Sequence, residues 1–156
     1  MDIDTKSWKI LAALQRDARI SLKALAEETG LSMPATSERL KKLEETGVIS
    51  AYRADVNAEA VGLDVMAIVG ITVPQPQKAS LIAHLKSLPE VIECLHVTGQ
   101  DSFLLRVVSR NIRHLENFVG NINHYGETRT SIVMSAPIPL RALTDMSGGG
   151  VESGKS

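Results

Sequence analysis

The stretch that decides the fold of the N-terminal part is LKALAEETGLS, residues 22–32. Leu22 and Leu25 lie on one face at helical spacing, and Gly30 stands where a helix ends in a left-handed residue. Ser32 then offers a side-chain oxygen that caps a following helix. The stretch therefore predicts two helices joined by a short turn, a helix-turn-helix unit.

One further helix, before residue 22, completes a three-helix unit with these two. Asp4 is the expected N-cap of the first helix, Ser21 that of the second, and Gly47 closes the third. From Val48 to Asn57 the apolar period shortens towards two, which predicts a short strand or an extended arm. The expected inward residues are Trp8, Leu11 and Leu14 in the first helix and Thr36, Leu40 and Leu43 in the third.

The outward face of the third helix carries short polar and basic residues, a pattern that fits the major groove of DNA. Arg39 is expected either to reach a phosphate or to brace the domain. A plain helical hairpin without a ligand is the alternative that the pattern alone leaves open. The candidate DNA-binding residues are Ser32, Met33, Ala35, Ser37, Glu38, Arg39, Lys41 and Lys42.

The charge and composition of the chain limit the ligands that it can bind and the cellular compartment in which we expect it. The 156 residues contain 17 Lys and Arg against 18 Asp and Glu, which argues against a histone-like DNA-binding protein. One copy would bind phosphates weakly, so we expect the protein to bind DNA as a multimer. Aromatic residues at 3% are too few for stacking on single strands. No secretory signal opens the sequence, and the longest apolar run, 65–73, is far short of the roughly 20 residues that span a bilayer. A cytoplasmic protein without a membrane partner is expected.

After residue 64 the pattern changes to strand, helix, strand, strand, helix and strand. The chain as a whole is therefore predicted as α+β: an N-terminal helix-turn-helix (winged-helix-like) domain followed by a ferredoxin-like βαββαβ domain. The expected elements are strands 65–73, 91–98, 102–109 and 128–136 and helices 77–88 and 112–122. The expected domains are 1–50 (DNA binding), 51–64 (linker), 65–140 (sensing and oligomerisation) and 141–156, a Gly- and Ser-rich disordered tail.

The strand Val65 to Val73 is apolar at both alternating sets of positions, although helices on one face of a sheet need only one apolar set. A second copy of the same sheet is the simplest cover for the other face. We therefore expect a homodimer through this domain. An unusually apolar strand in a monomer is the alternative.

Two other patterns attract attention but are weak. Thr98, Gly99, Gln100, Asp101 and Ser102 read from spacing alone as a turn between two strands. Cys94 and His96 lie two apart on a strand, yet no third ligand is near in sequence, so no metal site is predicted. A single cysteine permits no internal disulfide, and no catalytic motif is present, so no enzyme is predicted.

The run Leu22 to Ser32, followed by ERLKKLE (38–44) and GVI (47–49), resembles the DNA-binding half of the Lrp/AsnC feast-or-famine regulators. The domain order is similar to that family as far as about Pro139. The resemblance implies a bacterial or archaeal transcription factor that forms a larger ring of dimers, usually an octamer. Departures at Met33-Pro34 and at Thr36, where an aliphatic residue is usual, leave the operator sequence open.

The resemblance also gives the turn at 98–102 a role, because in this family a Gly-x-Asp loop lines an amino-acid pocket between dimers. Asp101 is then expected to receive the ammonium group of a free amino acid, and backbone N–H groups its carboxylate. The resemblance places Thr130 and Ser131 at the same pocket. The candidate effector-binding residues are Thr98, Gly99, Gln100, Asp101, Ser102, Thr130 and Ser131.

Together these patterns predict a sequence-specific transcription regulator that binds double-stranded DNA and responds to an amino acid. It is expected to be cytoplasmic and nucleoid-associated, with no cofactor besides the effector. The alternative is an architectural protein that wraps DNA with little sequence preference. Which amino acid acts as effector is not assigned.

Overall fold

The computed structural model describes residues 3–147, and the chain forms two compact units. The first consists of the residues up to Asp55 together with those from Ile138 onward, and the second of Val56–Pro137. The N-terminal unit contains three helices: α1 (Thr5–Arg16), α2 (Leu22–Thr29) and α3 (Met33–Glu45).

Side-chain caps start all three helices, as the sequence predicts. Asp4, Ser21 and Ser32 each accept a hydrogen bond from the backbone N–H three residues further on, at 2.8, 3.1 and 3.3 Å. Gly30 ends α2 in the left-handed conformation at φ 64°, and the Leu31 N–H donates to the Ala26 carbonyl at 3.1 Å. The predicted helix-turn-helix is confirmed.

The buried stripe of α1 is rotated relative to the predicted one. Ile10 and Ala13 are almost fully buried with Leu11, whereas Trp8 and Leu14 are only partly buried. The reason is that α1 packs against both α2 and α3, so the middle of its buried face falls between these neighbours. In α3, Thr36 and Leu43 are buried as predicted, and Leu40 is partly buried.

Residues 48–57 form the extended arm and not the short strand. The Ile49 N–H donates to the Leu43 carbonyl at 3.0 Å and so belongs to the end of α3. Residues 51–56 are exposed, and within the described part of the chain no strand pairs with them. A strand needs a hydrogen-bonding neighbour, and a single chain offers none here.

The second unit has the predicted ferredoxin-like order. Its four strands form one antiparallel sheet in the order β2-β3-β1-β4. The last strand ends four residues earlier than predicted, and the last backbone hydrogen bond of this segment to β1 runs from the Val133 N–H to the Met66 carbonyl. The elements are β1 (Val65–Thr72), α4 (Lys78–Leu85), β2 (Val91–His96), β3 (Phe103–Ser109), α5 (Ile112–Ile122) and β4 (Glu127–Ile132).

Both helices pack on one face of this sheet. Ala67, Val69 and Ile71 of β1 point to that face and form the core with apolar residues of β3, α4 and α5. Met66 and Ile68 point to the opposite face, where they are partly buried, and Leu95 on the same face is 47% exposed. We call this second surface the open face. It is apolar along β1, as the two-sided pattern predicts.

The C-terminal segment returns to the N-terminal unit without forming a helix or strand. The side-chain amide of Gln15 donates to the Leu143 carbonyl at 2.9 Å and accepts from the Leu143 N–H at 2.8 Å. The prediction of a disordered tail at 141–156 therefore does not hold at Leu143, because α1 satisfies its backbone groups. The part of that prediction that concerns 148–156 lies outside the described residues.

Replacing Gly126 by Ala is expected to destabilise the second unit. A Cβ at Gly126 would lie 1.9 Å from the carbonyl oxygen of Thr72 in β1, so the two strands would have to separate. The expected loss is about 1–3 kcal/mol of unfolding free energy, measured by thermal or urea denaturation. Gly120→Ala is the control, since a Cβ there meets open space inside α5 and alanine favours a helix. Equal stability of the two variants would contradict this account.

Candidate functional site

The exposed side of α3 carries most of the candidate DNA-binding residues. Met33, Ser37 and Lys41 follow one another at i, i+4 spacing, as do Glu38 and Lys42, and all five are exposed. Ser32 caps the helix, and Ala35 is half-buried beside Thr36. The buried residues hold α3 against the rest of the unit, and its polar side is left to solvent.

Arg39 braces the unit. Its guanidinium donates to Asp4 Oδ2 at 2.6 Å and to Ser7 Oγ at 3.2 Å, which ties the middle of α3 to the start of α1. Lys41 lies 3.6 Å from Glu45 on the same helix. Lys42 forms no ion pair with any residue that the structure describes, so it is the basic side chain of α3 with the fewest competitors for a phosphate.

Asp4 combines two roles, because it caps α1 and pairs with Arg39. Hydrogen bonds from the Ser7 N–H, the Ser7 hydroxyl and the Arg39 guanidinium lower the pKa of Asp4 from 3.8 to about 2. A carboxylate with a lowered pKa stabilises the fold above its ordinary pKa, and this contribution is lost as the pH falls through the lowered value.

The loop between β2 and β3, residues 97–102, is the second candidate site. Gly99 adopts a positive φ of 113°, which favours glycine. Ser102 attaches the loop to the end of β1, because its N–H donates to the Ile71 carbonyl at 2.9 Å and its Oγ accepts from the Val73 N–H at 3.0 Å. Thr72 adds a hydrogen bond from its hydroxyl to the Gln100 carbonyl at 3.1 Å. Thr98, Gly99 and Gln100 are exposed on this anchored loop.

The carboxylate of Asp101 is already paired within the chain. It binds the guanidinium of Arg129, which lies on β4 directly opposite Gly70 of β1. A Cβ at Gly70 would lie 2.7 Å from Asp101 Cγ, so the side chain of Asp101 occupies the space that this glycine leaves empty. The ion pair thus crosses β1 on the open face of the sheet.

Thr130 and Ser131 do not share a surface. Thr130 is registered with Val69, on the face that carries the helices, whereas Ser131 is registered with Ile68 on the open face. Successive strand residues point to opposite faces, so the two side chains cannot line one surface of a single chain. The expected pocket between dimers stays a prediction. Ser131 lies on the same face as Asp101 and Arg129, and Thr130 lies beside α5.

Arg129 and Gly70 are the two residues of this site that sequence reasoning missed. A glycine inside an apolar strand was an available signal, since it often marks the close approach of another group. That Asp101 fills this space and pairs with Arg129 depends on the order of the strands and on the register of β4, which a single sequence does not reveal.

Cys94 and His96 both lie on β2. Within residues 3–147, no group of three or more His, Cys, Asp or Glu side chains is close enough together to hold a metal ion. The same part of the chain contains no helix with the length and apolarity needed to cross a membrane.

Asp4→Asn is expected to lower the melting temperature at neutral pH, because asparagine still caps the helix but carries no charge for Arg39. The difference from the unchanged protein should persist down to about pH 4 and shrink as the pH falls towards 2, where Asp4 becomes protonated. Melting temperatures followed by circular dichroism from pH 7 to 2 test this. Asp55→Asn controls for the loss of an exposed carboxylate, and a difference independent of pH would contradict the role of the charge.

Comparison with protein families matches both units. A family model described as winged helix-turn-helix DNA-binding matches residues 3–50. A second model, the Lrp/AsnC ligand binding domain, matches residues 66–143.

Known proteins agree with these matches. The chain is 34% identical to the HTH-type transcriptional regulator FL11 of Pyrococcus furiosus, over 85% of this chain and 89% of that protein. It is 38% identical to LrpA of Mycobacterium tuberculosis, over 83% and 85%. Among solved structures, Rv3291c of M. tuberculosis complexed with L-methionine is 31% identical with a TM-score of 0.84, covering 92% of this chain and 100% of that one. The regulator NMB0573 of Neisseria meningitidis in complex with L-Met is 26% identical with a TM-score of 0.85, covering 91% and 96%. The chain therefore belongs to the Lrp/AsnC family of HTH-type transcriptional regulators.

Proposed function

We propose that this protein regulates transcription by binding double-stranded DNA, and that a free amino acid alters its DNA binding or its assembly. The observation that carries the proposal is the exposed polar side of α3, which a capped, braced three-helix unit presents to solvent. A helix of this kind inserts into the major groove with its N-terminal residues at the base edges. Met33 and Ser37 would contact bases, and Lys42 a phosphate.

DNA binding by this protein requires more than one copy. Glu38, Glu44 and Glu45 offset the basic residues of α3, so a single unit gains little from phosphate contacts. Two linked units raise the effective concentration of the second helix and place two recognition helices on half-sites about 34–36 Å, or a multiple of that, apart.

The open face supplies the contact between copies. Met66, Ile68 and Leu104 are only partly buried there, and Leu95 is 47% exposed, an apolar surface that a second copy of the sheet would cover. We propose a homodimer through this face and, from the family, a larger ring, an octamer. Because the same face of each copy forms the contact, the interface is isologous and the dimer has twofold symmetry.

The effector site includes the loop 98–102. Two related regulators have been solved with L-methionine, which supports a free amino acid as the class of ligand for this chain. We place the ligand at Gly99, Gln100 and Asp101 on the open-face side with Ser131. Thr130 contributes only if the helix side of another copy also lines the pocket. No catalytic role or cofactor is assigned, and the proposed location is the cytoplasm, at the nucleoid.

Footprinting on fragments of the source genome tests the regulatory function. Discrete protected sites, phased by about one helical turn, are expected. Uniform protection of every fragment would instead favour an architectural protein that wraps DNA with little preference.

Lys42→Ala is expected to weaken operator binding and to lower the slope of log K against log salt by about one per bound protomer, because a phosphate contact is lost. Fluorescence anisotropy at several salt concentrations measures both quantities. Lys86→Ala, which removes an exposed lysine of the second unit, is the control and should bind like the unchanged protein. An unchanged salt slope in Lys42→Ala would contradict the placement of α3.

Leu95→Asp is expected to dissociate the dimer, since it places a charge on the proposed apolar contact without disturbing a buried side chain. Light scattering should report a lower mass for this variant than for the unchanged protein. Val61→Asp, a change at a similarly exposed residue outside the sheet, should keep the original mass. Dimers that survive Leu95→Asp would move the interface away from the open face.

A further inference from the structure

Lys6 occupies a position that the local chemistry of α1 disfavours. It lies in the first turn of this helix, where the free N–H groups carry a partial positive charge that repels a cation. Its ammonium group reaches out of α1 and donates to the carbonyl oxygen of Thr29, the last residue of α2, at 2.6 Å. A cation at the C-terminal end of a helix is favourable, so the contact with α2 offsets the local cost in α1.

The contact lies at the turn between α2 and α3. The last carbonyls of a helix have no partner within it, and the turn supplies one for Ala26 through the N–H of Leu31 at 3.1 Å. For the carbonyl of Thr29 the partner is Lys6. A Cβ at Gly30 would lie 3.4 Å from the Nζ of Lys6. The ammonium group is therefore directly beside the residue at which the chain turns from α2 towards α3.

The first turn of α1, together with its N-cap, thus holds α3 at two points. Lys6 holds the turn that leads into Met33, the first residue of α3. Asp4 and Ser7 hold the middle of the helix through Arg39, at 2.6 and 3.2 Å. Six residues separate the start of α3 from this second contact, which is about 9 Å of helix. Two points of attachment fix the direction of a helix, whereas a single point leaves it free to pivot.

We propose that Lys6 is a positioning residue for base recognition, which fixes the direction of α3 and touches no DNA itself. The proposal rests on the DNA-binding role of α3 proposed above. Hydrogen bonds to base edges need close alignment of donor and acceptor, whereas the attraction of a lysine to a phosphate tolerates small displacements. Loss of the contact between Lys6 and Thr29 is therefore expected to reduce discrimination between DNA sequences and to leave sequence-independent binding unchanged.

The experiment compares Lys6→Met with Lys9→Met in the whole chain. Methionine keeps an apolar stem without the charge, and Lys9 is an exposed lysine of the same helix. Fluorescence anisotropy measures binding to a duplex with an operator found by footprinting and to a random duplex of equal length, at several salt concentrations and below the melting temperature of every variant. In Lys6→Met the ratio of the two affinities should fall by about tenfold, as for one lost base contact, with the salt slope on random DNA unchanged. Lys9→Met should keep the ratio.

Lys6→Arg is the conservative variant and should restore most of the ratio, since a guanidinium also donates to a carbonyl and carries the same charge. A merely structural role of Lys6 predicts a lower melting temperature with an unchanged ratio, and that result would overturn the proposal. A salt slope lowered by about one in Lys6→Met would also overturn it, because Lys6 would then bind a phosphate directly. Equal binding of all duplexes by the unchanged protein would instead overturn the regulatory function on which the proposal rests.

Discussion

The pairing of β1 on both of its edges is the constraint on which the second unit depends. This strand hydrogen-bonds to β3 on one side and to β4 on the other, and its alternate residues separate the buried core from the open face. The same register brings Arg129 opposite Gly70 and leaves room for Asp101 above the strand. A shift of one residue would exchange the two faces, so packing of the core and position of the ion pair are determined together.

In the N-terminal unit the corresponding constraint is a set of hydrogen bonds to one carboxylate, that of Asp4. Asp4 accepts hydrogen bonds from the start of α1 and from Arg39 in α3, so a single carboxylate orders a helix end and a helix contact. This explains why one of the basic residues on α3 is committed to the fold and not available for a ligand. In the DNA-binding role proposed above, base contacts are left to the remaining exposed residues, such as Met33 and Ser37.

Local signals in the sequence are sufficient to predict the helices, the turn and the order of elements. The reason is that helix caps, glycines and the spacing of apolar residues act over only a few residues. The N-caps Asp4, Ser21 and Ser32 are examples. The errors lie where the outcome depends on distant partners. The sequence left open whether a strand or an arm follows Gly47, because a strand needs a pairing partner elsewhere. The pairing of Asp101 with Arg129 needs a register that only the folded sheet defines.

The hydrogen bonds between Gln15 and Leu143 have a consequence for biosynthesis. The N-terminal unit is assembled from both ends of the described chain, with the whole second unit between them in sequence. Its three helices leave the ribosome first, yet the segment that contacts α1 is synthesised after the sheet of the second unit. During translation, at about 5–20 residues per second, the surface of α1 around Gln15 therefore stays uncovered for several seconds, until the sheet has had time to fold. The unit that begins to fold first is thus the last to be completed.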